Sequence, residues 1–426
     1  MPEAHESRRT LSPRARWAVP AVVVVAVAGA FLAPPLLASA DEAVLPDITP
    51  EQLVTTIAGA EPVPLSGTVV YTARLGLPEI PFTEMSGAGP IALLGGSSTM
   101  RVWTDGVDRS RISLLGATSE YSVVAQGPQA WTYSSADDAV VHYALSAADE
   151  ARYDELADDV RAGVVPELAG DLPTPSEAAR LALSRAQEFS AVTLGAQTTV
   201  AGRGAYQLIV TPKDGSTLVA RIVVAVDAET STPLRVQTWS TQDDAVPALE
   251  IGFTDVAFTT PDDAVLAFSP PAGAAVKEVV VPLPDAAELA AARSGGGTLG
   301  VEKLGDGPLP AGVSVTGTGW ESVTTWSGLD VAALIAGDPA ALASVPGSER
   351  TIGSESAQDL IEEFMPSDGP GSPGMPRLDS TALYDQLTTA VPEGRLLRST
   401  LLSVLVTNDG RVLVGAIPAE ILRAMA

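Results

Sequence analysis

The sequence predicts an α+β fold, mainly antiparallel β, built as one large sheet with a few helices laid against it. Run after run alternates apolar and polar side chains with period two, the mark of strands wet on one face and dry on the other. Nowhere does a strand–helix–strand rhythm appear, so a parallel sheet is not expected.

The elements follow in chain order. Thr49-Pro50-Glu51-Gln52 opens a short helix that runs to about Gly59, with Thr as N-cap, Pro in the first turn and Gln closing a capping box. Leu65 to Leu75 reads as a strand with Val69, Tyr71, Ala73 and Leu75 on one side. Residues 84–99 are Gly-rich yet carry Ile91, Leu93 and Leu94, as an apolar flap or a loop pinned over the core would. RVWTDGVDRSRISLL (101–115) is a hairpin about Asp105-Gly106, whose second arm sets Arg109, Arg111 and Ser113 against Ser110, Ile112 and Leu114. Its arginines are expected to face solvent. Glu120 to Gln126, Gln129 to Ser134 and Val140 to Ala144 complete a meander. Residues 146–162 and 174–189 look helical, the latter opened by Thr174-Pro175-Ser176-Glu177.

Strands return at Tyr206 to Thr211, Leu218 to Val226, Leu234 to Ser240 and Leu249 to Phe258, giving eight or nine in all. Phe268-Ser269-Pro270-Pro271-Ala272-Gly273 is read as a rigid stop to the sheet. Residues 282–312 are Pro-, Gly- and Ala-rich and read as a linker. Beyond them, 313–426 form a C-terminal α+β region, packing on or extending the main sheet. It holds a strand at Val313 to Thr325, helices near 329–336, 355–364 and 379–389, a strand at Leu396 to Thr407, a turn at Asn408-Asp409-Gly410, a strand at Arg411 to Ala416 and a closing helix after Pro418.

The N-terminus carries an export pattern. A basic segment ends at Arg16, Trp17 to Ala40 holds no charge, and Ala38-Ser39-Ala40 fits a small-x-small cleavage site. The apolar stretch also reaches the roughly 20 residues that cross a bilayer. A cleaved signal and an uncleaved membrane anchor are both open readings of 1–40. In either case the positive-inside rule leaves everything after residue 40 on the outer side.

Charge and composition remove whole classes of function. The chain has 25 Lys plus Arg against 52 Asp plus Glu. Four of those arginines (Arg8, Arg9, Arg14, Arg16) and two glutamates (Glu3, Glu6) precede Trp17, leaving 21 bases against 50 acids from residue 41 onward, a net of −29. Nucleic acid is not an expected partner. With no cysteine there is no disulfide, thiolate nucleophile or lipidated thiol. Of the two histidines, His5 lies in the leader and His142 sits in a strand, where a structural role is expected. No G-x-S-x-G elbow, phosphate loop or zinc-ligand set occurs. No catalytic residue, cofactor or metal site is therefore assigned. The acidic doublets Asp137-Asp138, Asp158-Asp159, Asp243-Asp244 and Asp262-Asp263 read as turn and N-cap residues. A facing carboxylate pair, and with it an acid-dyad hydrolase, is the third reading of function.

The exported leader, the short capped helix, Ser66-Gly67-Thr68-Val69, RVWTDGVDRSRI, Gln129-Ala130-Trp131-Thr132-Tyr133-Ser134, GRGAYQLIVTP, VAVDAETSTPLRVQTW and FTDVAFTTPDDAVLAFSPPAGAAV occur in an order that resembles the LolA-like lipoprotein-carrier superfamily over roughly residues 47 to 280. The closing LLSVLVTNDGRVLVGAIPAEIL is similar to the C-terminal part of RseB-like regulators. The resemblance implies an open antiparallel half-barrel over about residues 41–281, wrapped around or capped by helices. Acyl chains of a lipid or lipoprotein would lie between sheet and helices, with no catalysis. It also implies, as an alternative, an envelope-stress regulator that binds a membrane anti-sigma factor. Membrane attachment through 17–40 would follow if the leader is kept. The dry-face residues Val69, Tyr71, Val102, Ile112, Leu114, Val123, Trp131, Tyr133, Tyr206, Leu208, Ile222, Val224, Val236 and Phe253 either line such a cavity or pack as plain core. A few dry side chains suffice for the task, because each buried CH₂ is worth about 0.8 kcal/mol.

Overall fold

In the computed structural model the described residues are 45–77, 88–89, 92–93, 95–153, 186–280, 312–335 and 380–426. The leader, residues 84–87, 90, 91 and 94 of the Gly-rich stretch, residues 154–162 and 174–185 of the two expected helices, the linker 282–312 (bar its last residue) and the helix expected at 355–364 lie outside them, while 147–153 and 186–189 are helical as expected. Among the described residues no helix is long and apolar enough to cross a membrane.

Helix α1 (Pro50–Ala58) starts with the expected capping box. The Thr49 hydroxyl accepts from the Gln52 N–H at 3.2 Å, and the Gln52 side chain accepts from the Thr49 N–H at 2.8 Å. Thirteen strands then build one sheet. They are β1 (Leu65–Ala73), β2 (Gly96–Thr104), β3 (Arg109–Leu115), β4 (Glu120–Gln126), β5 (Gln129–Ser134), β6 (Ala139–Ala144), β7 (Ser190–Leu194), β8 (Thr198–Val200), β9 (Arg203–Pro212), β10 (Val219–Asp227), β11 (Pro233–Ser240), β12 (Leu249–Ala257) and β13 (Ala275–Val280). Their order is β13-β6-β5-β4-β3-β2-β1-β12-β11-β10-β9-β7, with β8 also on β9. β1 is the hinge of this order. It pairs on one side with the meander β2–β6 and on the other with β12, where the returning meander begins. The sheet is open, since its end strands β13 and β7 each pair with a single neighbour, β6 and β9.

The β2–β3 loop is fixed by one carboxylate. Asp105 accepts from the N–H groups of Val107, Asp108 and Arg109 at 2.9, 3.2 and 3.1 Å, while Gly106 takes φ +74°. Arg109 is not simply in solvent, since it binds Asp105 at 2.7 Å and Asp263 at 2.8 Å; Arg111 likewise meets Glu120 at 3.3 Å.

The Phe268–Gly273 stretch does not end the sheet. After β12, helix α2 (Asp263–Leu266), N-capped by Asp262, packs on β2 and β3 with Leu266 fully buried. Phe268 then sets its ring against Trp131 and Tyr133, centroids 5.9 and 6.4 Å away. The chain has thereby crossed the sheet, and β13 adds to β6 in parallel, the one parallel pair of this sheet among the described residues. A crossover of this length is what a parallel neighbour requires.

The C-terminal region forms its own six-stranded sheet: β14 (Val313–Thr316), β15 (Val323–Trp326), β16 (Thr389–Val391), β17 (Gly394–Arg398), β18 (Ser403–Thr407) and β19 (Val412–Gly415), ordered β14-β15-β19-β18-β17-β16. Two expected single strands are hairpins instead. Val313 to Thr325 breaks at Gly317 (φ +87°) and Gly319 (φ +55°), and Leu396 to Thr407 breaks at Ser399–Leu402. Helices α3 (Val331–Ile335) and α4 (Ser380–Leu387) flank the strands, and α5 (Ala419–Arg423) closes a core of Val323, Leu396, Leu405, Leu413, Ile417 and Leu422.

This second sheet docks onto the first through its loops. The Leu218 N–H donates to the Ala416 carbonyl at 2.7 Å, the Thr400 N–H to the Leu75 carbonyl at 2.8 Å, and the Ser240 hydroxyl to the Thr400 carbonyl at 2.6 Å. Trp320 and Leu401 bury themselves among Val210, Val219, Ile222 and Ala248.

Candidate functional site

Residues paired across a regular ladder share a face, so register sorts the side chains of the main sheet. One row runs Tyr121, Leu114, Met100, Val69, Phe253 from β4 to β12. A second runs Val123, Ile112, Val102, and a third Tyr71, Ile251, Val236, Val224, Leu208 from β1 to β9. Tyr206 and Ile222 follow by alternation within β9 and β10. Twelve of the fourteen expected lining residues therefore lie on one apolar face: Val69, Tyr71, Val102, Ile112, Leu114, Val123, Tyr206, Leu208, Ile222, Val224, Val236 and Phe253.

Trp131 and Tyr133 belong to the opposite face. Trp131 pairs with Val124 and His142, and Tyr133 with Ser122 and Val140, in rows that also hold Arg111 and Ser113. There they are covered by Phe268. Tyr121, Met100 and Ile251, not singled out in the sequence, complete the rows of the apolar face. The signal for the last two was available, because Met100 alternates with Val102 and Ile251 with Phe253.

The apolar face is not uniform. Its β9–β12 end is sealed by the C-terminal sheet, where Ile222 keeps 7% exposure and Trp320 5%. Its middle is sealed from within, Val69 and Phe253 packing with Val63 and Leu65. Gly67 is required there, since a Cβ would stand 2.8 Å from the Phe253 ring and 2.5 Å from the Asp255 carbonyl oxygen. At the β3–β4 end the seal stops. Ile112 and Val123 sit directly opposite each other and keep 43% and 40% exposure. Leu114, one step along β3, is buried.

One void between β11 and β12 is lined by Val69, Val236, Ile251 and Phe253. It has room for roughly one water molecule. Polar groups on this face are few. Burial raises the Tyr71 phenol above its usual value, and burial, then Asp47, does the same for Tyr206, which donates to the Pro46 carbonyl at 2.9 Å.

His142 is packed and hydrogen-bonded within the sheet. It stacks on Trp131 with centroids 4.9 Å apart and 4° between planes, and its ring nitrogens lie 3.3 Å from Gln129 Oε1 and 3.4 Å from Glu278 Oε1. Asp262 and Asp243 serve as the cap and turn residues expected, accepting from the N–H groups of Ala264 and Ala245. Among the described residues no group of three or more His, Asp or Glu is placed to hold a metal ion.

No protein-family model matches the chain, and no curated protein matches it. Solved structures do. The Pseudomonas aeruginosa MucA/MucB complex includes a chain similar over 88% of this one and 94% of its own length, at 14% identity and TM-score 0.37. An uncharacterized conserved protein from Thermus thermophilus matches 54% of this chain and 96% of its own, at 12% identity and TM-score 0.29. A LolA superfamily protein from Nitrosomonas europaea matches 52% and 99%, at 11% identity and TM-score 0.19.

Proposed function

We propose that the chain is a non-enzymatic extracytoplasmic binding protein that holds an acyl chain of a lipid or lipoprotein against the apolar face of its main sheet. The observation that carries this reading is the Ile112–Val123 pair. Two opposed aliphatic side chains stay about two-fifths open on a face whose other expected lining residues are buried or half-buried. Val102 extends the pair by one strand, so an acyl chain laid there removes apolar surface on both partners from water. The void between β11 and β12 holds roughly one water, so an acyl chain would reach it only if its lining residues Val69, Val236, Ile251 and Phe253 part. The sequence resemblance to lipoprotein carriers and the export pattern of residues 1–40 agree with this assignment.

Native mass spectrometry after gentle purification, together with titration of a fluorescent fatty-acid probe, tests it. Co-purifying lipid or saturable uptake of the probe is expected. Absence of both sinks the reading.

A second reading, regulation of an envelope partner such as a membrane anti-sigma factor, is favoured by the docking of the second sheet on the β9–β12 end of the apolar face. In that reading the C-terminal sheet presents the partner surface, and pull-down with the full chain from envelope extract tests it.

A further inference from the structure

The arginines are distributed unevenly with respect to their partners. Among the described residues there are twelve, and eight of them (109, 111, 152, 203, 395, 398, 411 and 423) reach a carboxylate within 4.0 Å. In a chain with twice as many acids as bases that is the expected fate. Arg74, Arg101, Arg221 and Arg235 have no carboxylate partner among the described residues. All four stand on the polar face of the main sheet. Arg101 lies opposite Thr68, Arg235 opposite Gly252 and Arg221 opposite Trp239, and Arg74 carries the alternation of Thr68, Val70 and Thr72 one step past β1.

Local structure presents these guanidiniums rather than burying them. Gly252 gives the Arg235 stem a place to lie, since a Cβ there would stand 2.9 Å from its Cγ. Arg221 stacks 4.1 Å over the Trp239 ring, and beneath it the indole Nε1 is buried with no hydrogen-bond partner. An orphan donor beside an unpaired cation is a place where an oxyanion gains two partners at once.

We propose that this face docks an extended acidic polypeptide segment of a partner protein. Arg101 on β2 and Arg221 on β10 are four strand spacings apart, about 19 Å, the reach of roughly six extended residues. A polypeptide suits the face better than an anionic membrane. Glu250 and Asp255 share it, and the chain is strongly acidic elsewhere, so a uniformly negative surface would be repelled where a peptide can set its charges only against the arginines. Glu250 accepts from Gln237 at 3.2 Å and does not neutralise the arginines.

The test is fluorescence anisotropy of a labelled peptide of alternating Glu and Ser with the full chain, beside its Gln-for-Glu counterpart and phosphatidylglycerol vesicles. The Glu peptide is expected to bind, more weakly as salt is added, and Arg101→Ala and Arg235→Ala are each expected to weaken it about tenfold. Trp239→Phe, which keeps an aromatic ring under Arg221 but removes the N–H donor, is expected to weaken it too, while Arg398→Ala on the second sheet leaves it unchanged. Circular dichroism shows whether each variant is folded. Equal binding of the Gln peptide, full binding by folded Arg101→Ala and Arg235→Ala chains, or arginine-dependent binding of the vesicles in place of the peptide overturns the proposal.

Discussion

Trp320 donates its indole N–H to the hydroxyl of Ser190 at 2.8 Å, and Ser190 is completely buried. One hydrogen bond thus joins the second sheet to the edge strand of the first, across 130 residues of sequence, with Leu401 packed beside it. Trp320→Ala is expected to cost about 3–5 kcal/mol, as removal of a buried aromatic does. Ser190→Ala, which leaves the indole donor without its acceptor, should cost about 1–3 kcal/mol. Urea unfolding measures both.

Two glycines flanking β15 of the second sheet separate steric cost from backbone cost. Gly319 has φ +55° and a Cβ there would sit 2.5 Å from Cγ of Phe189; Gly328 has φ +82° and open space around it. Gly328→Ala is expected to cost about 1–2 kcal/mol through the left-handed conformation alone. Gly319→Ala should cost more than Gly328→Ala, with the difference visible as a lower denaturation midpoint.

The Asp105 carboxylate predicts an acid-sensitive turn. Burial by itself would raise this group, but the Arg109 side chain and the N–H groups of Val107, Arg109 and Asp108 outweigh burial and hold it below its usual value. Since its folded pKa is depressed, the stability it adds is complete above the unfolded value near 4 and is lost as pH falls through the lower folded value. The stability gap between the natural chain and Asp105→Asn should therefore close as pH drops from about 7 to below about 4. Denaturation midpoints at stepped pH follow it.

Ile112→Ser and Val123→Ser should separate binding from folding. Both positions are already two-fifths open, so each substitution is expected to change stability by less than about 1 kcal/mol. Affinity for a fatty-acid probe should fall severalfold for each, at roughly 0.8 kcal/mol for every CH₂ that stays in water instead of being covered. Leu114→Ser, on the same strand but buried, should do the reverse and unfold the chain before it reports on binding.

Local alternation made most of the sheet legible in advance, since Val69, Ile112, Val224 and their neighbours each disclose their face within a single strand. What it could not disclose is how one strand's dry side relates to the next. Trp131 and Tyr133 look dry because they are aromatic. The tight Gly127-Pro128 turn nevertheless pairs Thr132 with Val123 and sends both rings to the other side, where Phe268, more than 130 residues on, covers them. β13 escaped notice because a short AVKEVV run after two prolines carries no sign of a parallel neighbour. The docking of the second sheet rests on loop residues such as Thr400 and Ala416, which have no periodicity to read. Gly317 and Gly319, by contrast, were visible markers of a turn inside what looked like one strand.

The end strands β7 and β13 never meet. A closed barrel has its radius fixed by strand number and stagger, so it widens only by breaking a ladder. Here no such constraint applies, and a few degrees of added twist at each of many strand pairs can change the curvature of the whole sheet while every backbone hydrogen bond survives. The volume this protein can enclose is accordingly a mechanical property of the sheet, a compliance, and not a number set by its count of strands.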